Sequence, residues 1–165
     1  MTTPRRNAPG PGQESVWDFP RPPALRSTDE LVEVNFGGRV IASTRAALQV
    51  LETSHPPTYY LPHSAFDDGV LVPVEGRTFC EFKGAADYFE VVVGESRASR
   101  AAWHYPHPTK RFEAIVDHVA VMPSLMEQCR VDGEVVRPQE GGFYGGWITS
   151  KVSGPFKGAP GTTGW

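Results

Sequence analysis

The sequence predicts a mainly β protein: a compact single domain, either barrel-like or with two sheets, built of short antiparallel strands with little helix. Roughly nine or ten short apolar runs follow one another, with turn residues about every 8 to 12 positions, a spacing typical of barrels and sandwiches. Strands do not alternate with helices as a Rossmann-type sheet requires. The length of 165 residues suits one domain with a proper core.

The strands are predicted from alternation and from the turns between them. Residues 31–36 alternate apolar with polar, the period of a half-buried strand, and Gly37-Gly38 then supplies the positive φ of a primed hairpin turn. Asp132-Gly133 predicts a type I′ turn between strands at 128–131 and 134–136. Further strands are predicted over residues 39–43, 47–52, 58–62, 70–73, 77–82, 88–93, 98–104 and 119–123.

The central stretch, residues 77–88, is the part of the β domain in which we expect a site. A turn at Glu75-Gly76 is predicted to precede it, and a turn at Lys83-Gly84 is predicted to divide its two strands. Helix is predicted only as short segments within residues 111–117 and 124–128.

Glycine and proline set the two ends of the chain apart. Residues 1–14 predict a disordered tail, and residues 31–137 form the predicted β domain. Residues 15–30 combine a tryptophan and a phenylalanine with prolines, which predicts an extended arm that packs on its own domain or, alternatively, on a second subunit. Residues 138–165 predict a second arm, rich in glycine and aromatic residues, that is either a structural clamp or a lid. A homodimer is the expected assembly.

Composition restricts the partners and the compartment. The net charge of -3 and the pI of about 5.9 offer little attraction to polyphosphate, so we expect no nucleic-acid partner. No apolar run approaches the about 20 residues that span a bilayer, so we expect no membrane partner. The two arginines near the start have no apolar segment behind them, and we expect a soluble, cytoplasmic protein. Cys80 and Cys129 form no Cys-x-x-Cys motif, which predicts two reduced, buried thiols.

Cys80 and Lys83 are the candidate catalytic residues. A lysine near a thiol stabilises the thiolate and lowers the thiol pKa from about 8.5 toward neutrality, which would produce a nucleophile. The alternative is a structural cysteine, because alternation places Cys80 on the same strand face as Phe82 while Lys83 points to solvent.

Aromatic walls with a few fixed polar groups are typical of small-ligand sites, so we expect a small-molecule ligand here. Lys83 or Arg45 would hold an anionic group of that ligand. The alternative is that these residues are ordinary surface charges beside core aromatic rings. The candidate ligand-binding residues are Arg45, Glu52, Tyr60, Tyr88, Trp103 and Tyr105.

No metal and no cofactor are predicted. His63, Cys80 and His104 could form a metal site by residue type, but their spacing does not specify one. The glycine-rich stretches 141–147 and 154–161 match neither a Walker loop nor a dinucleotide fingerprint.

Six motifs of the domain stand out, namely Thr44-Arg45-Ala46, Leu51-Glu52-Thr53, Pro57-Thr58-Tyr59-Tyr60, Thr78–Gly84 with Tyr88, Ala101–Pro106 and Val119–Pro123. Together they resemble those of a bacterial family of unknown function, over about residues 30–137. That family is also labelled nucleotidyltransferase-like, which implies nucleotide transfer. Polymerase-like enzymes of that kind place a Gly-Ser pair before an Asp-x-Asp that holds two metal ions, and this sequence has neither motif. The two ends, at Ser15–Pro22 and Gly142–Thr149, resemble the terminal segments of a subgroup of this family whose members are longer.

Three functions are therefore open at the level of the sequence. The first is a small-molecule pocket around Cys80 and Lys83, and the second is a non-catalytic interaction module whose aromatic arms mediate self-association. The third, implied only by the resemblance, is nucleotide transfer. The exposure of Cys80 separates the first two, because an enzyme that uses this thiol needs it accessible.

Overall fold

The computed structural model describes residues 3–165 and confirms the mainly β class. Helix within these residues is limited to short 3₁₀ turns at Val16–Asp18, His63–Ala65, Lys110–Ile115 and Pro123–Leu125. The strands are β1 Glu14–Ser15, β2 Ala24–Ser27, β3 Val32–Phe36, β4 Arg39–Thr44, β5 Leu48–Leu51, β6 Thr58–Pro62, β7 Leu71–Cys80, β8 Gly84–Val93, β9 Ser96–His104, β10 His118–Val121, β11 Gln128–Val131, β12 Glu134–Val135, β13 Arg137–Pro138, β14 Trp147–Ile148 and β15 Val152–Ser153.

Two antiparallel sheets form the body of the protein. The larger has seven strands in the order β2-β5-β6-β10-β9-β8-β7, and the smaller has four in the order β12-β11-β3-β4. Across residues 3–165 neither sheet pairs its two edge strands with each other, so the two-sheet alternative describes the fold and the barrel does not.

The seven-stranded sheet is apolar on both faces. One face, which includes Phe89 and Val119, packs against the four-stranded sheet in the main core. The opposite face, which includes Tyr60 and Ala120, packs against Phe112 of the Lys110–Ile115 turn. Neighbouring residues of one strand point to opposite faces, so this sheet can carry two separate sites back to back.

The two predicted hairpin turns are confirmed by their backbone angles. Gly37 and Gly38 have φ of 64° and 79°, and Asp132 and Gly133 have φ of 49° and 82°. Positive φ at both central residues is the mark of a type I′ turn. The Gly37-Gly38 turn joins β3 to β4, and the Asp132-Gly133 turn joins β11 to β12.

The predicted turn at Glu75-Gly76 is wrong, because β7 continues through these residues as one long strand. Val74 pairs with Tyr88 and Arg77 pairs with Asp87, which leaves Glu75-Gly76 as a two-residue bulge opposite consecutive residues of β8. Gly76 has a φ of 92°, a backbone angle that glycine adopts without strain. A glycine with positive φ occurs both in tight turns and in β-bulges, so Glu75-Gly76 alone does not distinguish a turn from a bulge.

Both ends of the chain lie against the body of the protein. The Trp17 ring is buried, its Nε1 donates to the Pro155 carbonyl at 2.9 Å, and its centre lies 5.5 Å from that of Trp165. Strand β1 pairs in parallel with β15, which ties one end to the other. Within the segment predicted to be a disordered tail, the Asn7 amide donates to the Gly154 carbonyl at 2.9 Å, and the first two residues of that segment lie outside the described part. No helix of residues 3–165 has the length and apolar character needed to cross a membrane.

Candidate functional site

Most of the predicted site residues gather on the face of the seven-stranded sheet that packs against Phe112. We call this set the tyrosine cluster. Tyr88 and Trp103 are direct partners on β8 and β9, which brings their side chains to the same face. The members of the tyrosine cluster are Tyr60, Cys80, Tyr88, Trp103 and Tyr105.

Hydrogen bonds and close packing hold the tyrosine cluster together. Trp103 Nε1 donates to the Tyr60 hydroxyl at 3.2 Å, and the Tyr88 hydroxyl pairs with Thr78 Oγ1 at 2.9 Å. The C-terminal arm contacts one member of the cluster, because Gly145 lies so close to the Trp103 ring that a Cβ would overlap it. Burial raises the pKa of Tyr60 above its usual value of 10.0, so this phenol stays protonated at neutral pH.

Cys80, the last residue of β7, is half-buried within this cluster. Phe82 packs there too, but from the turn after β7 and not from the same strand face, because the strand predicted over residues 77–82 ends at Cys80. Lys83 Nζ lies 5.8 Å from the centre of the Tyr105 ring and 5.9 Å from that of Phe112. At these distances an ammonium is attracted to the ring faces. The lysine therefore contacts aromatic rings beside the cysteine.

The other cysteine and the two predicted polar anchors lie elsewhere. Burial raises the pKa of Cys129 to about 12, so this thiol is protonated and inert. Arg45 Nη1 donates to the Asp29 carbonyl at 3.3 Å. The Glu52 carboxylate lies 3.4 Å from Arg21 Nε and therefore has a cationic partner of its own.

An open groove with about 540 Å3 of space lies along β7, β8 and β9. Asp87 and His104 are direct partners on β8 and β9, one residue along from the Tyr88–Trp103 pair, so they point to the face opposite the tyrosine cluster. We call this the histidine groove; its lining residues are His63, Pro73, Val74, Glu75, Gly76, Arg77, Asp87, Tyr88, Phe89 and His104.

Two imidazoles and an ion pair surround a buried phenylalanine in the histidine groove. The ring centre of Phe89 lies 4.8 Å from that of His104 and 5.9 Å from that of His63. Arg77 Nη2 lies 3.1 Å from Asp87 Oδ1 at the same wall. The groove thus combines an apolar floor with several fixed polar groups, as small-ligand sites do.

The electrostatics of the groove favour a neutral His104. Burial lowers the pKa of His104 below its usual value of 6.5, and nearby His63 acts in the same direction while Asp87 opposes them. At pH 7 the ring therefore has one nitrogen that accepts a hydrogen bond and one that donates.

Two bulges lie on either side of β8, and the first of them lines the groove. The first is Glu75-Gly76 in β7, and the second lies in β9, where residues 99–101 stand opposite Glu90 alone. Arg100 adopts a φ of 51° in the second bulge, and its Nη1 donates to the Glu75 carbonyl of the first at 3.0 Å. The guanidinium carbon of Arg100 lies 4.1 Å from the centre of the ring of Tyr88, a residue of the strand β8 that runs between the two bulges. Bulges and positive φ at a non-glycine residue recur beside binding sites, because they re-aim side chains.

The sequence indicated the two histidines of this groove only as metal ligands together with Cys80. Cys80 packs in the tyrosine cluster, and within residues 3–165 no three His, Cys, Asp or Glu side chains are arranged to hold a metal ion. The partnership of Asp87 with His104 depends on the pairing of β8 with β9, which the sequence does not specify. The groove therefore could not be predicted from the positions of Asp87 and His104 in the sequence.

A comparison with known families identifies the domain. A family model described as a domain of unknown function (DUF427) matches residues 24–132, about two thirds of the chain. The chain belongs to this family. Its members carry a short label that refers to nucleotidyl transfer, whereas the description assigns no function. The lining of the histidine groove falls within the matched span, and both ends of the chain fall outside it. No curated protein matches the chain.

Proposed function

We propose that the protein binds a small polar molecule in the histidine groove. The observation that carries this function is the pair of imidazoles flanking Phe89 beside the Asp87–Arg77 ion pair, in an open groove of about 540 Å3. A space of that size falls within the about 300–1,000 Å3 of typical ligand sites.

The charges of the groove indicate which ligands it prefers. Among the side chains that line the groove, the carboxylates of Glu75 and Asp87 outnumber the guanidinium of Arg77, and Arg100 adds a second guanidinium at the Glu75-Gly76 bulge. The groove therefore has no excess of positive charge that would attract an anion, and the flat ring of His104 suits a planar partner. A planar, uncharged or cationic nitrogen heterocycle fits this set of groups, because it both donates and accepts hydrogen bonds.

A thermal-shift screen with a library of small nitrogen heterocycles tests this function. Ligands that bind the folded protein raise its melting temperature. Asp87→Asn removes one wall charge and is expected to reduce the shift given by each hit. Glu90→Gln is the matched control, because Glu90 lies on the same strand, pairs with Arg97 at 2.8 Å and does not line the groove. Equal shifts in both variants would contradict binding in the groove.

A small-molecule pocket around Cys80 and Lys83 is a second candidate. It is favoured by a half-buried thiol among tyrosine rings, with the Lys83 ammonium over one of them. The rate of Cys80 alkylation by iodoacetamide against pH, in a Cys129→Ser background, tests it. Fast alkylation with an apparent pKa well below 8.5, lost in Lys83→Met, would support this pocket. Alkylation only on unfolding would contradict it.

Self-association is the alternative function, and a homodimer is its simplest form. It is supported by two large apolar side chains that face solvent, Phe79 at 79% and Phe143 at 81% exposed, the first on edge strand β7. Light scattering coupled to gel filtration tests it, with Phe79→Ser and Phe143→Ser expected to shift the mass toward a monomer. A monomeric wild type at every concentration would contradict it.

The remaining expectations concern nucleotide transfer and the compartment. Nucleoside triphosphates with Mg²⁺ belong in the thermal-shift screen, and their failure to raise the melting temperature would count against nucleotide transfer. The free thiols of Cys80 and Cys129 support a reducing, cytoplasmic location.

A further inference from the structure

A second cleft, with about 570 Å3 of space, lies between the β2-β5-β6 edge of the large sheet and both ends of the chain. We call it the arm cleft. Arg26 on β2, Gln49 on β5 and Tyr59 on β6 line it from the β domain. Glu14 and Lys151 line it from the two ends of the chain.

Arg26 is oriented in this cleft as a receptor for a carboxylate. Its Nε donates to Gln49 Oε1 at 2.9 Å, and Gln49, only 5% exposed, is itself fixed by donating to the Tyr59 hydroxyl at 3.0 Å. Nη1 and Nη2 of Arg26 then donate to the two carboxylate oxygens of Glu14, at 2.9 and 2.8 Å. This two-pronged geometry is the one in which arginine binds carboxylates most strongly.

Glu30 is oriented in the same network as a receptor for an ammonium. Its Oε1 accepts from the Tyr59 hydroxyl at 2.9 Å and from Thr28 Oγ1 at 2.8 Å, and its Oε2 accepts from Lys151 Nζ. Burial alone would raise the pKa of Glu30, but the hydrogen bonds from Lys151, Thr28 and Tyr59 outweigh it and lower the pKa below 4.5. Glu30 is therefore a charged, largely buried acceptor at neutral pH.

The two receptor residues, Arg26 and Glu30, come from a different part of the chain than the two residues that bind to them, Glu14 and Lys151. Arg26 and Glu30 lie within the span matched by the family, whereas Glu14 and Lys151 lie outside it. The Glu14 amide donates to the Lys151 carbonyl at 2.9 Å, so the carboxylate and the ammonium arrive side by side. The side chains of Glu14, Arg26 and Lys151 are 47%, 42% and 44% exposed. An ion pair exposed on both sides, such as Glu14–Arg26, contributes only about 0–1 kcal/mol. A competing ligand can therefore reach these groups.

We propose that the arm cleft is a binding site for a zwitterionic small molecule of the amino-acid class, with its carboxylate on Arg26 and its ammonium on Glu30. In the free protein, Glu14 and Lys151 occupy these two positions. A simple anion bound to Arg26 would be repelled by the negative charge of Glu30. A simple cation bound to Glu30 would be repelled by the positive charge of Arg26. A molecule that carries both charges satisfies both receptors.

Calorimetric titration of a Glu14→Gln, Lys151→Met double variant tests this site. The probes are glycine, γ-aminobutyrate, L-glutamine and L-lysine, with acetate and methylamine as single-charge comparisons. The double variant is expected to bind at least one amino acid about tenfold more tightly than the wild type does, which is about 1.4 kcal/mol. Adding Arg26→Gln to the double variant is expected to abolish that binding.

Two controls separate this site from other effects. Asp18→Asn removes another exposed pair of the same end, with Arg6 at 3.0 Å, and is expected to leave amino-acid binding as in the wild type. Asp87→Asn in the histidine groove is also expected to leave it unchanged, so the two proposed sites can fail independently. The single variant Glu14→Gln, checked for folding by circular dichroism, replaces the double variant if that one does not fold. Absence of amino-acid binding in a folded variant, or equal binding of acetate, would overturn the proposal.

Discussion

His104 and His118 illustrate how burial decides the charge of a side chain. Burial lowers the pKa of both below 6.5, although Asp87 and Asp117 oppose the shift. His118 Nδ1 is also buried with no hydrogen-bond partner within the described part of the chain. Protonating the His118 ring would place a charge on a partly buried group whose Nδ1 has no hydrogen-bond partner, a cost that the attraction of Asp117 offsets only in part.

This burial predicts how stability depends on pH. In the unfolded chain, His104 and His118 take up protons near pH 6.5, whereas in the folded protein they do so only at lower pH. Between the unfolded and the folded pKa values, the unfolded state therefore binds more protons than the folded state. The free energy of unfolding should therefore fall as the pH drops below 6.5. Urea unfolding at several pH values measures this slope, which His118→Gln should reduce and the exposed His107→Gln should not. An unchanged slope in His118→Gln would contradict the role given to this ring.

Gly145 is required for a steric reason. Its φ is not in the left-handed region, so alanine is tolerated by the backbone, but a Cβ there would overlap the Trp103 ring. Gly145→Ala should therefore lower the free energy of unfolding by about 1–3 kcal/mol, the usual cost of overpacking. Gly10→Ala is the control, because a Cβ at Gly10 meets nothing closer than Gln13 Oε1 at 3.4 Å. Similar urea midpoints for the two variants would show that the C-terminal arm does not press on Trp103.

At the scale of elements, the sequence predicts the strands well and their pairing poorly. Alternation and the Gly37-Gly38 turn are local signals, and the structure has strands Val32–Phe36 and Arg39–Thr44 on either side of that turn. The Glu75-Gly76 bulge could not be predicted, because the choice between turn and bulge depends on pairing with β8. The histidine groove depends on the same pairing, so His63 and His104 could be named as candidates from the sequence but could not be grouped with Asp87 and Phe89.

The bulge in β7 gives a prediction with a matched control. Gly76 and Gly69 both have positive φ, so alanine at either should cost about 1–2 kcal/mol in backbone strain. A Cβ at Gly76 would also lie 3.1 Å from Arg100 Nη1, whereas a Cβ at Gly69 meets nothing within 4 Å. Gly76→Ala alone should therefore shift the imidazole resonances of His63 and His104. Identical histidine spectra for both variants would contradict a groove shaped by this bulge.

At the scale of the whole molecule, the two ends pack on each other, and we expect them to act as a clamp on the domain. The sequence predicts an arm that packs on the domain from a tryptophan and a phenylalanine among prolines, but it does not indicate the partners of Trp17, which lie more than 100 residues away in the chain. Pairing across that distance depends on the folded domain and leaves no local pattern. The arm cleft depends on the same closure, so none of its charged pairs could be predicted.

The clamp predicts different costs for two substitutions of Trp17. Trp17→Ala removes a buried ring and should lower the free energy of unfolding by about 3–5 kcal/mol. Trp17→Phe keeps most of the packing but loses the bond to the Pro155 carbonyl, a loss of about 1 kcal/mol. Urea unfolding measures both, and an Ala variant as stable as the wild type would mean that the ends do not clamp the domain.

The most direct test of the central claim is a histidine-selective ¹⁵N NMR titration with the best heterocycle from the thermal-shift screen. Binding in the histidine groove predicts that the imidazole signals of His63 and His104 shift together and saturate, while the exposed His107 stays in place. Saturable binding that leaves both groove histidines unmoved would place the ligand elsewhere and contradict the function proposed for this groove.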